Sequence, residues 1–359
     1  MVAYQTHPSE ANVPGAVDPL TNHAESRSTL AHPRQVGCVL ELFERAQLMT
    51  DLEAVEQLLL VRATSQSEVI TSASTHTIRS GGKRLRAALA LLAARLGQYD
   101  LPNVIHAAAA VELIQAASLV HDDLVDQAAR RRGRVTVHAR WDNDVALMVG
   151  DFFFALASRE MALSPDPRII TYYAQAVQTI VEGELSPVTL IEPVATALEQ
   201  YYYKTGAKTA SLFEAACKAG MAAGGGDEGQ IAALGRYGFA LGMAFQIIDD
   251  ILDFTSDEVT LGKPAGNDLR QGTITLPLIY AVARTGSPRL RALIEQELPT
   301  EAQVRAAIAE VTAAGGIEAA LAEARRFISD ASAQLAAFPA SLAHRALVDL
   351  AHFVIAREA

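Results

Sequence analysis

Apolar residues recur along this chain at intervals of three and four. Leu40, Leu42, Phe43, Ala46 and Leu48 set the rhythm, and Leu52, Val55, Leu58 and Leu59 continue it, which is the period of amphipathic helices. The alternation of a half-buried strand is nearly missing: Val135 and Val137 are its only trace, and a short linker explains them equally well. Proline spacing agrees. Of 14 prolines, none falls between Gln35 and Leu101, between Asn103 and Ser164, or between Val194 and Lys263. Those intervals, filled with Ala, Leu, Glu and Arg, let helices run unbroken. The pattern predicts an all-α fold of roughly ten or more helices, in one domain over residues 36–359 with no repeat or linker. Residues 1–35 hold Pro8, Pro14, Pro19 and Pro33 among scattered polar residues. They predict a flexible leader that is neither a signal peptide nor a transit peptide.

Composition then narrows the function. Half of the 359 residues are apolar, enough for a large core. With 30 basic against 41 acidic residues the formal charge is −11, which argues against nucleic acid or an anionic membrane surface as partner. Two cysteines, Cys38 and Cys217, are too few for a disulfide framework, so a cytoplasmic location is expected. No uninterrupted apolar run reaches the ~18 residues of a membrane span. The richest stretch, Ala107 to Val120, is broken by Glu112 and Gln115, and no stable membrane anchor is expected.

Specific chemistry starts at His121-Asp122-Asp123-Leu124-Val125-Asp126. Asp122 and Asp126 stand one above the other on a helix, with Asp123 about 100° to the side, so three carboxylates crowd one end of a partly apolar face. Oxygen-only ligation of this kind selects a hard ion, Mg²⁺ above all, which keeps waters and shares phosphate oxygens. A solvated acidic stripe would satisfy this motif alone. The same spacing then returns at Asp249, Asp250 and Asp253, inside the strongly apolar Phe245-Gln246-Ile247-Ile248, where charge is expensive. Two such helices could hold a cluster of divalent ions with a diphosphate between them.

Cations complement the acids. Gly81-Gly82-Lys83-Arg84-Leu85-Arg86 places positive charge at a helix start, against the dipole unless an anion sits there. It is not a Walker A loop, since Thr77 and Arg84 stand where Gly and Ser or Thr are required. Arg130-Arg131-Arg132-Gly133 suits bidentate capture of diphosphate oxygens, although an Arg run also reads as a solvated face. The chain has five lysines against 25 arginines, and Lys83, Lys208 and Lys263 lie in segments that look like phosphate sites.

These segments together resemble the trans-prenyltransferase family, the head-to-tail isoprenyl diphosphate synthases, from about Leu42 onward. The ordered matches also include Lys208-Thr209-Ala210-Ser211-Leu212-Phe213 and Gly262-Lys263-Pro264-Ala265-Gly266-Asn267-Asp268-Leu269. The resemblance implies the isoprenoid synthase fold, antiparallel helices around a deep central cavity, usually as a homodimer. It implies that Asp122, Asp123, Asp126, Asp249, Asp250 and Asp253 hold three Mg²⁺ on an allylic prenyl diphosphate of farnesyl or geranylgeranyl type. Arg131, Lys208 and Lys263 would contact that diphosphate; Lys83, Arg86, Gln115 and Arg132 would bind isopentenyl diphosphate; Thr209 and Gln246 would lie near the cationic carbon. Ionisation of the allylic C–O bond, attack by the isopentenyl double bond and loss of a proton need no protein nucleophile, and pyrophosphate is thought to be the base.

Three residues depart from the family pattern. Gln115 replaces a common His, Leu185-Ser186-Pro187 follows Gly183-Glu184 where Gln is usual at the last place, so that helix is expected to bend or end, and Ala87 replaces a frequent Pro. Small Ala117 and Ser118 before the first Asp motif let a growing tail pass toward Ile114 and Val111, with Phe153, flanked by Phe152 and Phe154, as a deeper floor. A product of twenty carbons or more is expected, and a bulky residue at Ala117 should shorten it. Two rival readings are a class I terpene cyclase and a non-catalytic subunit of a heteromeric synthase. A cyclase would usually replace the second Asp cluster, and an inactive subunit would typically have lost one; both clusters are intact.

Overall fold

The structure is a computed structural model and describes residues 33–255, 265–296 and 299–356. Most of the predicted leader lies outside the described residues, and the first helix begins at Pro33, slightly earlier than the expected domain start. The helices follow the apolar periods: α1 (Pro33–Arg45), α2 (Met49–Arg62), α3 (Glu68–Arg79), α4 (Leu85–Ala94) and α5 (Leu101–Val125). A small hairpin leads to α6 (Val137–Arg140), α7 (Asn143–Leu163), α8 (Arg168–Glu184) and α9 (Val194–Thr205). A π-helical turn (Gly206–Ala210) joins α9 to α10 (Ser211–Ala223), which precedes α11 (Glu228–Thr255). The remainder is α12 (Asn267–Arg270), α13 (Leu276–Thr285), α14 (Pro288–Ile294), α15 (Glu301–Ala313), α16 (Gly316–Gln334) and α17 (Leu342–Ala356).

Local signals place the ends. Pro102, Pro277 and Pro288 sit in the first turns of α5, α13 and α14, where their missing N–H is not needed. Ser67 and Asp142 cap α3 and α7 with side-chain oxygens, and Thr300 with Gln303 forms a capping box on α15. α8 ends at Glu184, as Pro187 led one to expect.

Of the two readings of Val135, strand or linker, the structure shows the strand, one half of a two-stranded ladder. β1 (Arg130–Arg131) pairs antiparallel with β2 (Arg134–Val135), Arg130 opposite Val135, while Val137 opens α6 and is buried. Arg132 and Gly133 form the turn with φ of 51° and 76°, the left-handed pair that suits the twist of a two-residue hairpin.

α10 lies at the centre, packed on α4, α5, α8 and α11, and α5 and α11 are the two longest helices, with 25 and 28 residues. Both have the length and hydropathy of a membrane span, yet 61% and 72% of those apolar windows are buried inside the protein. They are core helices, and their ends carry the Asp motifs. Small residues allow close helix approach. A Cβ on Gly220 of α10 would fall 2.1 Å from the carbonyl oxygen of Ala90 on α4, and one on Gly242 of α11 would fall 2.6 Å from Cα of Ala210. Backbone cannot yield as a flexible side chain can. Gly220→Ala is therefore expected to destabilise the protein by about 1–3 kcal/mol, read as a lower thermal midpoint by circular dichroism; an unchanged midpoint would show that α4 and α10 separate freely.

Candidate active site

Both Asp triads occupy the C-terminal ends of their helices. Asp122 and Asp123 are in the last turn of α5 with Asp126 as its C-cap, and Asp249, Asp250 and Asp253 lie in the last two turns of α11. The negative end of the dipole makes this the unfavourable end for an acid, by about 0.3–1 kcal/mol per charge at the surface. Burial adds to the burden. It raises the pKa of Asp122 and Asp123 above the ordinary aspartate value, with Glu184 pushing Asp122 further and Asp126 pushing Asp123. Lys208 and Arg131 oppose this. Lys208 Nζ lies 3.4 Å from Asp122 Oδ2 and 2.5 Å from Glu184 Oε1, and Arg131 Nε donates to Asp123 Oδ1 at 2.6 Å. Burial pulls the Lys208 pKa down, but the two carboxylates outweigh it and hold it high.

The second triad is supported differently. Tyr201 donates its hydroxyl to Asp250 Oδ2 at 2.6 Å, and Gln246 Nε2 donates to Asp250 Oδ1 at 2.9 Å. Thr209 Oγ1 donates to Gln246 Oε1 at 2.9 Å, so consecutive residues of the π-turn, Lys208 and Thr209, reach the first and the second Asp motif respectively. The backbone N–H of Asp268, at the start of α12, donates to Asp253 Oδ2 at 2.9 Å, and that of Gly266, at φ 76°, donates to the Asp253 carbonyl. Burial pushes Asp250 from 3.8 up to about 8, helped by Asp268 and Asp249 and opposed by the two hydrogen bonds.

The cations gather opposite. The Arg86 guanidinium stacks on the Phe213 ring at 4.7 Å, and its Nε is sealed from water without a hydrogen-bond partner. Burial lowers its pKa to about 10; Glu112 and Asp249 pull it up and Arg132 presses it down. Arg132 keeps an exposed face, yet the packing around its guanidinium, and then the neighbouring Arg131, lower its pKa as well. A Cβ on Gly82 would fall 2.5 Å from the Arg132 guanidinium, so the loop before α4 and the hairpin tip lie in close contact. Lys83 Nζ stands 5.6 Å from the centroid of the Phe353 ring on α17. Arg84 turns away: at φ 52° it donates to Glu56 and to the Ile78 carbonyl and holds the loop in shape.

Several functional residues escape a reading of motifs. Glu112, buried on α5, accepts the Ala87 amide at 3.0 Å and so caps α4 from a neighbouring helix while facing Arg84, Arg86 and Arg132. A proline at position 87 would have no N–H to give. The signal was an acid alone in the apolar Ala107–Val120 run. Tyr201 joins the site through Asp250 with no spacing to mark it, and Glu184, visible in the sequence only as the residue before Leu185-Ser186-Pro187, joins it through Lys208.

The expected tail pocket is only partly placed. Ala117, Ile114 and Phe153 are fully buried, whereas Ser118 is half-buried and shares a face with Gln115 and Asp122 at helical spacing. Ala117, five residues before Asp122, is shielded from solvent on the other side of the helix. Lys263 lies outside the described residues. Among the described residues no three acidic, His or Cys side chains converge on one point, so a divalent ion would have to complete its shell with waters and substrate oxygens. The donor set still fits one: oxygen-only carboxylates gathered at two negative helix ends suit a hard divalent cation.

Comparison with known proteins identifies the family and the fold. Residues 67–311 match the Polyprenyl synthetase family. Heptaprenyl diphosphate synthase component 2 of Geobacillus stearothermophilus is 39% identical over 313 residues, covering 87% of this chain and 97% of the relative. Polyprenyl synthase from Caulobacter crescentus, complexed with calcium and isoprenyl diphosphate, superposes with a TM-score of 0.82 at 37% identity, covering 90% of this chain and 98% of that one. Decaprenyl diphosphate synthase from Rhodobacter capsulatus gives a TM-score of 0.82 at 36% identity, over 89% and 99%. The architecture is the all-helical isoprenoid synthase fold. This chain belongs to the polyprenyl synthetase family, and it is a prenyltransferase of the trans-polyprenyl diphosphate synthase type.

Because Asp250 is protonated more readily when folded, it contributes stability at low pH that is lost as the pH rises from 3.8 to about 8. In chelator, the melting temperature of the wild type should fall relative to Asp250→Asn across that interval; parallel curves would show that Asp250 titrates normally.

Proposed function

We propose that this enzyme condenses isopentenyl diphosphate head-to-tail with an allylic prenyl diphosphate, with Mg²⁺, to give an all-trans polyprenyl diphosphate of twenty carbons or more. The observation that carries the reading is the opposition of two acid-bearing helix ends to a basic cluster that includes the sealed Arg86. Divalent ions answer one side, an anion answers the other, and a diphosphate answers both.

In this reading Asp122, Asp126 and Asp249 hold the ions, three per site, while Asp123, Asp250 and Asp253, already engaged by Arg131, Tyr201 with Gln246, and the Asp268 amide, keep the acidic ends in place. Bound there, Mg²⁺ would shield the diphosphate and stabilise it as a leaving group. Arg131, Lys208 and Lys263 grip the allylic diphosphate; Lys83, Arg86, Gln115 and Arg132 grip isopentenyl diphosphate. Thr209 and Gln246, linked to each other and to Asp250, would lie near the cationic carbon, and apolar walls would keep water from it. Ser118 leaves room for the tail, one isoprene unit spanning roughly 5 Å, about three residues of helix rise. Relatives named heptaprenyl and decaprenyl diphosphate synthases support a medium to long product. We assign the working form to a cytoplasmic homodimer that accepts farnesyl or geranylgeranyl diphosphate. A second reading, a catalytic chain that works with a different subunit, is favoured by the relative named as component 2 of its synthase.

Purified chain incubated with Mg²⁺, farnesyl diphosphate and labelled isopentenyl diphosphate should give extended products by mass spectrometry after dephosphorylation, and none in chelator. Farnesyl diphosphate left unextended by the chain alone would overturn the homomeric reading. Ser118→Phe is expected to shift the products to shorter chains; an unchanged spectrum would remove that face of α5 from chain-length control.

A further inference from the structure

The basic cluster is assembled from two segments distant in sequence: the loop and helix start at 81–86, and the hairpin of β1 and β2. His76 stands just before the first, and its side chain touches the second. It lies in the last turn of α3, where its carbonyl accepts from the Ser80 amide at 3.0 Å and from Ser80 Oγ at 2.6 Å, fixing the exit into Gly81-Gly82-Lys83. Its ring reaches the other way. Nε2 lies 2.8 Å from the carbonyl oxygen of Val135, and Nδ1 lies 3.1 Å from the Arg140 guanidinium.

A guanidinium only donates, so Nδ1 must accept, and the ring proton then sits on Nε2 and is donated to Val135. The Trp141 ring meets the His76 ring edge-on at 5.7 Å, and the Arg140 guanidinium lies 4.8 Å over Trp141. One backbone carbonyl and one guanidinium thus set the tautomer of the imidazole, and the Trp141 ring holds it in place. Val135 pairs with Arg130 across the ladder, and beyond it the hairpin sends Arg131 to Asp123 and Arg132 against Gly82. Among the described residues, the hairpin's other hydrogen bonds are internal, to the adjoining turn, or to the end of α5.

We propose that His76, fixed as the Nε2–H tautomer by Arg140, is a positioning residue that sets the spacing between the basic loop and the arginine hairpin, and so shapes the subsite for isopentenyl diphosphate. The inference rests on the assignment of Arg86 and Arg132 to that substrate. His76 is not expected to touch substrate. Its loss should let the hairpin drift, spoiling the two-sided grip on one diphosphate while Lys208 and the Asp motifs still hold the other.

Steady-state kinetics on full-length His76→Phe, His76→Gln, Arg140→Ala and Arg86→Ala test this. His76→Phe keeps a flat ring against Trp141 but loses both hydrogen bonds; the KM for isopentenyl diphosphate should rise about tenfold, as loss of a hydrogen bond at a partly buried site implies, with kcat and the allylic KM within about twofold. His76→Gln retains a donor and an acceptor and should recover most of the loss, and Arg140→Ala, on an exposed side chain, should raise the same KM by a smaller factor. If His76→Phe fails to fold, Arg140→Ala decides, and a normal isopentenyl KM there overturns the proposal. So does a His76→Phe enzyme with wild-type KM, or one whose kcat and both KM values change together with its melting temperature. An Arg86→Ala enzyme with an unchanged isopentenyl KM would instead refute the substrate assignment.

Discussion

Charge at the unfavourable ends of helices is the constraint on which the rest of this molecule depends. Six aspartates stand in the last turns and C-cap of α5 and α11, and cations crowd the first turn of α4. Each arrangement opposes its own helix dipole. The protein tolerates this through fixed partners: Lys208 and Arg131 beside the first triad, Tyr201 and Gln246 around Asp250, and Glu112 capping α4. None of these neutralises the site completely. Arg86 is still desolvated and Asp250 still resists ionisation. The proposed divalent ions and diphosphate would cancel this residual imbalance on arrival.

That organisation needs a tightly packed frame. Glycines and alanines bring α4, α10 and α11 within backbone contact, so that α10 can sit centrally and still leave the helix ends free to carry charge. The buried Glu160, hydrogen-bonded to Arg62 and to His106 Nδ1, ties α2, α5 and α7 together far from the chemistry. Ion pairs here serve two purposes: complete pairing stiffens the frame, and incomplete pairing marks the site.

Much of this was legible in the chain itself. Proline-free intervals and a three-and-four apolar period fixed the helical class, and the repeated Asp spacing inside apolar helices marked both ends of the site, because a carboxylate there has no bland explanation. Contacts that depend on tertiary geometry were not legible. Glu112 looked like an interruption of an apolar run, and Tyr201 like one of three consecutive tyrosines. Neither carries a spacing that betrays its partner. Ala117 and Ser118 are adjacent and both small, and only the phase of α5 separates the core residue from the one on the Asp122 face. Val135 and Val137 hinted at a strand but were two residues of different elements, a ladder end and a helix start.

The π-turn at Gly206–Ala210 has a wider consequence. Residues 194–223 run as helix without interruption, yet the turn adds one residue to its cycle, so α9 and α10 are out of phase by about 100° relative to an ideal helix of the same length. That offset lets Tyr201, before the turn, meet α11 while Lys208, within it, faces α5. Removing a single residue from the turn would restore regular winding and keep α9 and α10 in their present phase, but it would take Lys208 and Thr209 out of the bulge that aims them at separate helices. Local winding, as much as composition, is therefore what an insertion or deletion in this stretch would put at stake.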